Sequence, residues 1–362
     1  MHVPVLLGVQ AKLLEVSPLK IFYSESFLKH TPPFPHPERP ERLKIALKSL
    51  EEKGFLKNLE EPPSASLRDL LKIHDERYLK RVFEASSTVP NMLDEDTYIS
   101  EGSLEAALKA AGAAIKCAAL SIKTENVFLA LVRPPGHHAG RKGTALGAPS
   151  QGFCIFNNVA LAAAVLLNRG IERIAIIDFD VHHGNGTQEI FYRDPRVLHI
   201  DLHQDPTTIY PGTGFPEDVG EGEGEGSKIN IVLPIGSGDD IYQKALEEIV
   251  LPILEEFRPK VLLYSAGFDA YREDGLADIN ATEYTFFKLG EIPREIGVKR
   301  VAVVLEGGYS VGLRLGLPAF LLGLTGGAPK FAKPSKSTEG VEVMAQYYFS
   351  RLKKVVSKYW CI

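Results

Sequence analysis

Residues Ile174 to Gly186 read Ile-Ala-Ile-Ile-Asp-Phe-Asp-Val-His-His-Gly-Asn-Gly, an apolar run that turns into metal-ligand side chains and then glycines. So continuous an apolar run predicts a buried strand that delivers polar groups at its end. Strand side chains alternate faces, which places Asp178, Asp180 and His182 on one face and Phe179, Val181 and His183 on the other. Two carboxylates and an imidazole suit a first-row divalent ion, with a further ligand expected from another strand and a position left for water. Without a cation these groups would repel one another or hold protons, so an ion also answers an electrostatic problem.

The chain has 362 residues, 44% of them hydrophobic and 24% charged, which permits one large α/β domain or two smaller ones. Its 41 basic against 46 acidic residues leave a net charge of -5 without a basic run, so nucleic acid is not expected as a direct partner. Cys117, Cys154 and Cys361 are too scattered for a disulfide framework and fit a reducing, cytoplasmic setting. The apolar residues 3 to 9 lack a basic flank and are too short to span a bilayer, so no membrane association is expected. Residues 1–18 read as an N-terminal extension without a convincing element, and 19–362 as one catalytic domain.

Further strands are expected at Leu19 to Tyr23, Val127 to Val132, Val197 to His203, Ile229 to Leu233, Val261 to Tyr264 and Val301 to Leu305. Helical spacing marks Pro40 to Leu50 and residues 66–84, 103–122, 240–257, 281–296, 311–324 and 340–356, with an Ala-rich helix ending near Asn168 and a short one starting at Thr187. Leu93 to Tyr98 form an acidic loop that reads as solvated surface, and residues 220–226, alternating Gly and Glu, a mobile or tight surface loop. Strands alternating with helices predict a single-domain, three-layer α/β fold with a mostly parallel central sheet and helices on both faces. Ligands in such folds gather at the carboxyl ends of the strands.

Four predicted strand ends carry chemistry: Pro134-Pro135-Gly136-His137-His138, the Asp178 to His182 stretch, Ala266-Gly267-Phe268-Asp269, and Leu305-Glu306-Gly307-Gly308-Tyr309. In a parallel sheet these converge on one rim, and together they indicate a metal hydrolase. With Gly152-Phe153-Cys154-Ile155-Phe156-Asn157-Asn158 and Tyr210-Pro211-Gly212-Thr213-Gly214 added, the set resembles the zinc-dependent histone deacetylase superfamily, which includes acetylpolyamine amidohydrolases and acetoin-utilisation proteins. The resemblance runs from about Tyr23 to Gly326, and Asn185 before Gly-Thr-Gln is similar to the class II branch.

The resemblance implies an arginase/deacetylase-like fold, with Asp180, His182 and Asp269 as metal ligands and zinc as the metal. A two-carboxylate, one-histidine site also accepts iron or cobalt. By the same resemblance Asp178 bonds His137 and helps hold a structural potassium ion, together with Asp201, which stands where the family has Ser. His138 is then the general base and acid, Asn185 its partner, and Tyr309 the donor to the oxyanion. Gly152, Phe153, Tyr210, Leu276 and Gly307 correspond to an acyl-lysine channel, Asp96 to a rim residue that grips substrate, and Arg42 to the wall of an internal acetate channel. The implied reaction is metal-assisted hydrolysis of an N-acetyl or N-acyl amide, on lysine side chains of a protein or peptide, or on a polyamine or other small amine. Assembly into a homo-oligomer stays open.

Two other readings compete. A two-metal ureohydrolase of the arginase type needs an Asp two residues after His182, where Gly184 stands, and another two after Asp269, where Tyr271 stands. A catalytically silent acyl-lysine binding module would have lost Tyr309, His138 or a metal ligand, and all are present.

Overall fold

The computed structural model describes residues 18–57, 59–330 and 333–362; the N-terminal extension lies outside them except for Pro18. Among the described residues ten strands run in chain order: β1 (Leu19–Phe22), β2 (Leu59–Glu60), β3 (Asn91–Met92), β4 (Tyr98–Ile99), β5 (Val127–Ala130), β6 (Ile174–Asp178), β7 (Val197–Gln204), β8 (Lys228–Leu233), β9 (Val261–Ala266) and β10 (Val301–Leu305). Eight form one sheet in the order β2-β1-β5-β10-β9-β6-β7-β8, and every pairing within it is parallel. Strands β5 to β10 of this sheet are buried along their whole length, as the largely apolar β5, β6, β9 and β10 require when both faces are covered; β7 and β8 bury His, Asp, Gln, Lys and Asn among their apolar residues.

Helices Ser103–Ser121 and Asn158–Leu167 pack on each other and on the sheet. Alanine lets them approach closely, and Gly112 sits so near the Pro63 carbonyl that a β-carbon would lie 1.8 Å from its oxygen. Helices Glu283–Glu295 and Leu317–Thr325 pack together elsewhere on the sheet, with the Tyr264 ring of β9 edge-on to Phe320 at 5.0 Å.

Strand β10 lies between β5 and β9 and joins the two halves of the sheet. Registers put Asp178 of β6 opposite both Ser265 of β9 and Asp201 of β7, and Leu305 of β10 opposite Ala266. The carboxyl ends of these neighbouring strands are therefore level, and the loops leaving them share one rim.

The structure alters several expectations. Strand β6 stops at Asp178: its Oδ1 accepts from the Asp180 amide at 3.1 Å, while the Phe179 amide turns to the Ser265 carbonyl. The strand thus ends at Asp178, and Asp178 groups with His199 and Asp201 whereas Asp180 and His182 group with Asp269. The helix expected over residues 66–84 is broken into Leu67–Leu70 and Glu76–Ser87, because Asp75 caps the second piece and His74 is diverted to bond the Gly140 carbonyl and the Asn157 amide. The acidic loop is not simply solvated. It connects β3 to β4, and Asp94 gathers the amides of Asp96, Thr97 and Gln151. In the Gly/Glu loop, Gly220 and Gly224 press on the backbone of Tyr192 and Arg193, so it is a tight loop.

Phe179, between two site aspartates, points into a cluster of rings from Tyr264, Phe268, Phe286 and Phe320, with centroids 5.1 to 6.1 Å away. It anchors the loop that carries the ligands. Phe179→Ala is expected to lower the unfolding free energy by about 3–5 kcal/mol, read as a lower urea midpoint; an unchanged midpoint would remove this anchoring role.

Candidate active site

Asp180, His182 and Asp269 come together at the rim, their ligand atoms all within 4.8 Å of one another. His182 Nδ1 lies 3.0 Å from Asp180 Oδ1 and 3.2 Å from Asp269 Oδ2. Spacings of this size match the edges of a coordination shell whose ligands stand about 2.0–2.2 Å from a central ion. Asp269 Oδ2 is buried without a directed hydrogen bond, and the donor set is one imidazole and two carboxylates. The residues therefore fit a first-row divalent ion.

Each carboxylate is also held by backbone. Asp180 Oδ2 accepts from Gly307 N at 2.7 Å, Asp180 Oδ1 from His182 N at 3.0 Å, and Asp269 Oδ1 from Val181 N at 3.0 Å. A β-carbon on Gly307 would lie 2.3 Å from Asp269 Oδ2 and 2.4 Å from Asp180 Oδ2, so only glycine fits there.

The adjacent histidines have different partners. His137 Nδ1 meets Asp178 Oδ2 at 3.0 Å, and His138 Nδ1 meets Asn185 Oδ1 at 2.8 Å. Asn185 donates through Nδ2 to the Ala145 carbonyl, which turns its own oxygen toward His138. His138 therefore carries its proton on Nδ1 and keeps a lone pair on Nε2. Burial pushes both imidazoles down, but the carboxylates of Asp178 and Asp180 lift His137 well above the usual range. His138 has no carboxylate partner, and burial, with His137 and His182 nearby, holds it well below.

A cavity of about 350 Å³ is lined by Asp96, Pro135, His137, His138, Gly152, Phe153, Asp180, His182, Ile209, Tyr210, Leu276, Gly307 and Tyr309. Phe153 and Tyr309 meet edge-to-face at 6.3 Å, and Tyr210 meets His138 edge-to-face at 4.9 Å. Gly152, at φ 51°, lies against His138 and Tyr210, where a β-carbon would be 2.4 Å from the His138 ring. The Tyr210 hydroxyl donates to the Ser150 carbonyl at 2.9 Å, and Ser150 donates to Asp96 Oδ2 at 2.5 Å. The Tyr309 hydroxyl has no hydrogen-bond partner among the described residues, and burial raises its pKa well above the usual range, so it stays a donor. A wider cleft of about 700 Å³ at Lys72, Arg141 and Arg196 has no comparable convergence, since Lys72 pairs with Asp69 and Arg196 with Asp194.

The histone deacetylase domain profile matches residues 36–316. The chain belongs to the histone deacetylase family. It is 40% identical to a probable deacetylase of Archaeoglobus fulgidus over 94% of this chain and 98% of that one. It is also 40% identical to a histone deacetylase-like amidohydrolase of Pseudomonas aeruginosa over 76% and 73%, and 46% identical to an uncharacterised protein of Methanocaldococcus jannaschii over 84% and 87%. The crystal structure of the HDA15 HD domain superposes with a TM-score of 0.84 at 32% identity, covering 95% of each chain. Deacetylases are hydrolases, and no helix among the described residues is long and apolar enough to cross a membrane.

Two residues of the expected set stand beside the cavity of this deacetylase-family chain rather than in its lining. Arg42 does not line the cavity. It is fully buried behind Tyr309, its guanidinium 4.7 Å over the ring, with Nε donating to the Gly308 carbonyl at 2.7 Å, another N–H to the Glu306 carbonyl, and an ion pair to Glu38 at 3.0 Å. Asp178 belongs to a second buried cluster with His199 and Asp201. There Asp201 Oδ1 meets His203 at 2.6 Å and Oδ2 accepts from Gly184 N at 2.8 Å, while neither nitrogen of His199 has a hydrogen-bond partner.

Other groups had no role in the sequence reading. Glu38 receives Arg42, Arg133 and the Tyr98 hydroxyl, and despite burial Arg133 holds it well below the usual carboxylate range. Glu306 Oε2 accepts the amides of Gly136 and His137, which fixes the histidine loop to the end of β10. Arg133 immediately precedes one motif already singled out and Glu306 lies within another, and that placement was the available signal. Cys154 is buried and its thiol is pushed well above its usual range, as for a packing cysteine.

Burial pushes His182 down, but without a cation Asp180 and Asp269 override it and lift the imidazole to about 9; burial and Asp180 raise Asp269 to about 6. A metal ligand must be unprotonated, so between pH 6 and 9 binding should release close to one proton and affinity should rise about tenfold per pH unit. Calorimetric titration of metal-free protein with zinc in two buffers of different ionisation enthalpy measures this; pH-independent affinity would contradict the shared site.

Proposed function

We propose that the protein hydrolyses N-acetyl or other short N-acyl amides of primary amines, with acetylated lysine side chains as the leading substrate class. One observation supports this most: His138, whose Nδ1 faces Asn185 and leaves Nε2 free, the unpartnered Tyr309 hydroxyl, and Asp180 and His182 of the divalent-ion ligand set line the same narrow cavity. Asp180, His182 and Asp269 would hold the ion, with zinc the first choice and iron or cobalt also compatible. When bound, it supplies Lewis acidity toward a carbonyl oxygen and toward water.

The chain's own groups supply the remaining steps. His138 Nε2 takes the proton of the attacking water and passes it to the departing amine. Asn185 keeps it in the tautomer that can do so, without the charge a carboxylate would add. His137, paired with Asp178, places a cationic edge beside the reacting centre. Tyr309 donates to the former carbonyl oxygen as charge grows on it. Phe153 and Tyr210 flank the methylene stem, Gly152 keeps that wall flat, and Leu276 and Gly307 complete the channel. Asp96 stands among the lining residues as the acceptor for a substrate N–H. Asp178 and Asp201 would carry the charge that holds a structural potassium ion, away from the proton path.

Tyr309→Phe should lower kcat on an acetyl-lysine peptide by about 10²–10³, and His138→Ala should reduce it at least as far. A zinc-loaded parent silent on all acyl substrates would leave binding alone as the function. The kcat/KM values for acetyl-lysine peptides against acetylated putrescine, cadaverine and spermidine decide the substrate class; a preference for the small amines would replace lysine.

A further inference from the structure

Tyr309 follows Gly307 and Gly308, and Gly308 has a φ of 106° that side-chain-bearing residues rarely adopt. Such a pair is a hinge, yet the proposed role of Tyr309 needs its hydroxyl fixed to within a fraction of an ångström. The restraint comes from both sides of a single peptide unit. The carbonyl of the Gly308–Tyr309 peptide accepts from Arg42 Nε at 2.7 Å, and its N–H donates to Asp274 Oδ2 at 2.6 Å. Held at both poles, this peptide plane cannot rotate.

Asp274 does more than hold one amide. Its Oδ1 accepts from the amides of Ser310 and Gly312, each at 2.8 Å, and from the Ser310 hydroxyl at 3.2 Å. These amides lead into the turn Gly312–Gly316 and the helix Leu317–Thr325, so a carboxylate from a different loop caps this segment. Asp274 is 5% exposed and sits between Asp269 and Leu276, in the loop leaving β9. One loop thus supplies a metal-ligand candidate, the clamp on the tyrosine segment and a cavity wall. Gly312 lies against the Phe268 carbonyl of this loop, where a β-carbon would be 1.8 Å away, so the two segments are in direct backbone contact.

We propose that Asp274 is a positioning residue for the reaction: it fixes where the Tyr309 hydroxyl stands relative to the Asp180–His182–Asp269 centre. This rests on the oxyanion role proposed for Tyr309. Asp274→Asn keeps the shape but turns an amide NH₂ toward backbone N–H groups, which removes acceptors and adds repulsion. Its kcat on an acetyl-lysine peptide should fall between about tenfold and a hundredfold, with KM within twofold and bound zinc near one per chain. The decisive comparison is the double variant: added to Tyr309→Phe, Asp274→Asn should change kcat less than twofold, because its effect passes through the missing hydroxyl. Full loss in both backgrounds, or parental kcat in Asp274→Asn alone, overturns the assignment. If Tyr309→Phe itself matches the parent, the oxyanion reading fails instead, which the same assays separate. Asp274→Ser, which is smaller and retains an acceptor, gives the same comparison if Asp274→Asn is insoluble.

Discussion

Buried carboxylates that accept backbone N–H bonds from neighbouring loops hold this site together. Asp180 takes the amide of Gly307, Asp269 that of Val181, Glu306 those of Gly136 and His137, and Asp274 those of Tyr309, Ser310 and Gly312. A carboxylate in a low-dielectric interior is costly unless its lone pairs are satisfied, and loop amides are orphaned once the strands end. Each need meets the other. Loops without regular structure thereby become a rigid frame, and all these bonds fall along the level carboxyl ends of β5, β10, β9 and β6.

The frame also distributes charge. Two imidazoles with ring centroids 3.9 Å apart would ordinarily compete for protonation, and here their partners separate them. A carboxylate behind His137 favours its cation, whereas an amide oxygen behind His138 orients the ring and leaves it neutral. The distinction rests on Asp178 and Asn185, neither of which lines the cavity. Arg42, which lies over the Tyr309 ring, shares the buried Glu38 with Arg133, so the packing behind that ring is ionic.

Much of this was legible in the chain because parallel strands buried on both faces leave long apolar runs, and because the polar groups follow those runs directly. Strand β10 spans the residues expected, whereas β6 stops at Asp178, short of the alternation expected through His183. What stayed hidden depends on partners far away in sequence. Asp178 and Asp180 look equivalent by alternation; a turn stabilised by bonds to Ser265 and within the Asp178–Asp180 pair separates them. Arg42 was noted through resemblance, but its place behind the Tyr309 ring follows from carbonyls 264 and 266 residues away. Asp274 carries no spacing signal, since its value lies in backbone amides of another loop. The helix expected over residues 66–84 failed because His74 serves tertiary bonds that outweigh local propensity.

The position of β10 bears on how the molecule is made. Without Val301–Leu305 the strand order would leave two separate parts, β2-β1-β5 and β9-β6-β7-β8. The histidine loop belongs to the first part and the acidic ligands to the second. Both parts expose an unpaired inner edge until one late strand inserts between them, a long-range pairing that is slow to form. Without that strand the side chains of Asp180, His182 and Asp269 have no fixed relation to His137 and His138, so the rim is assembled only once β10 is in place.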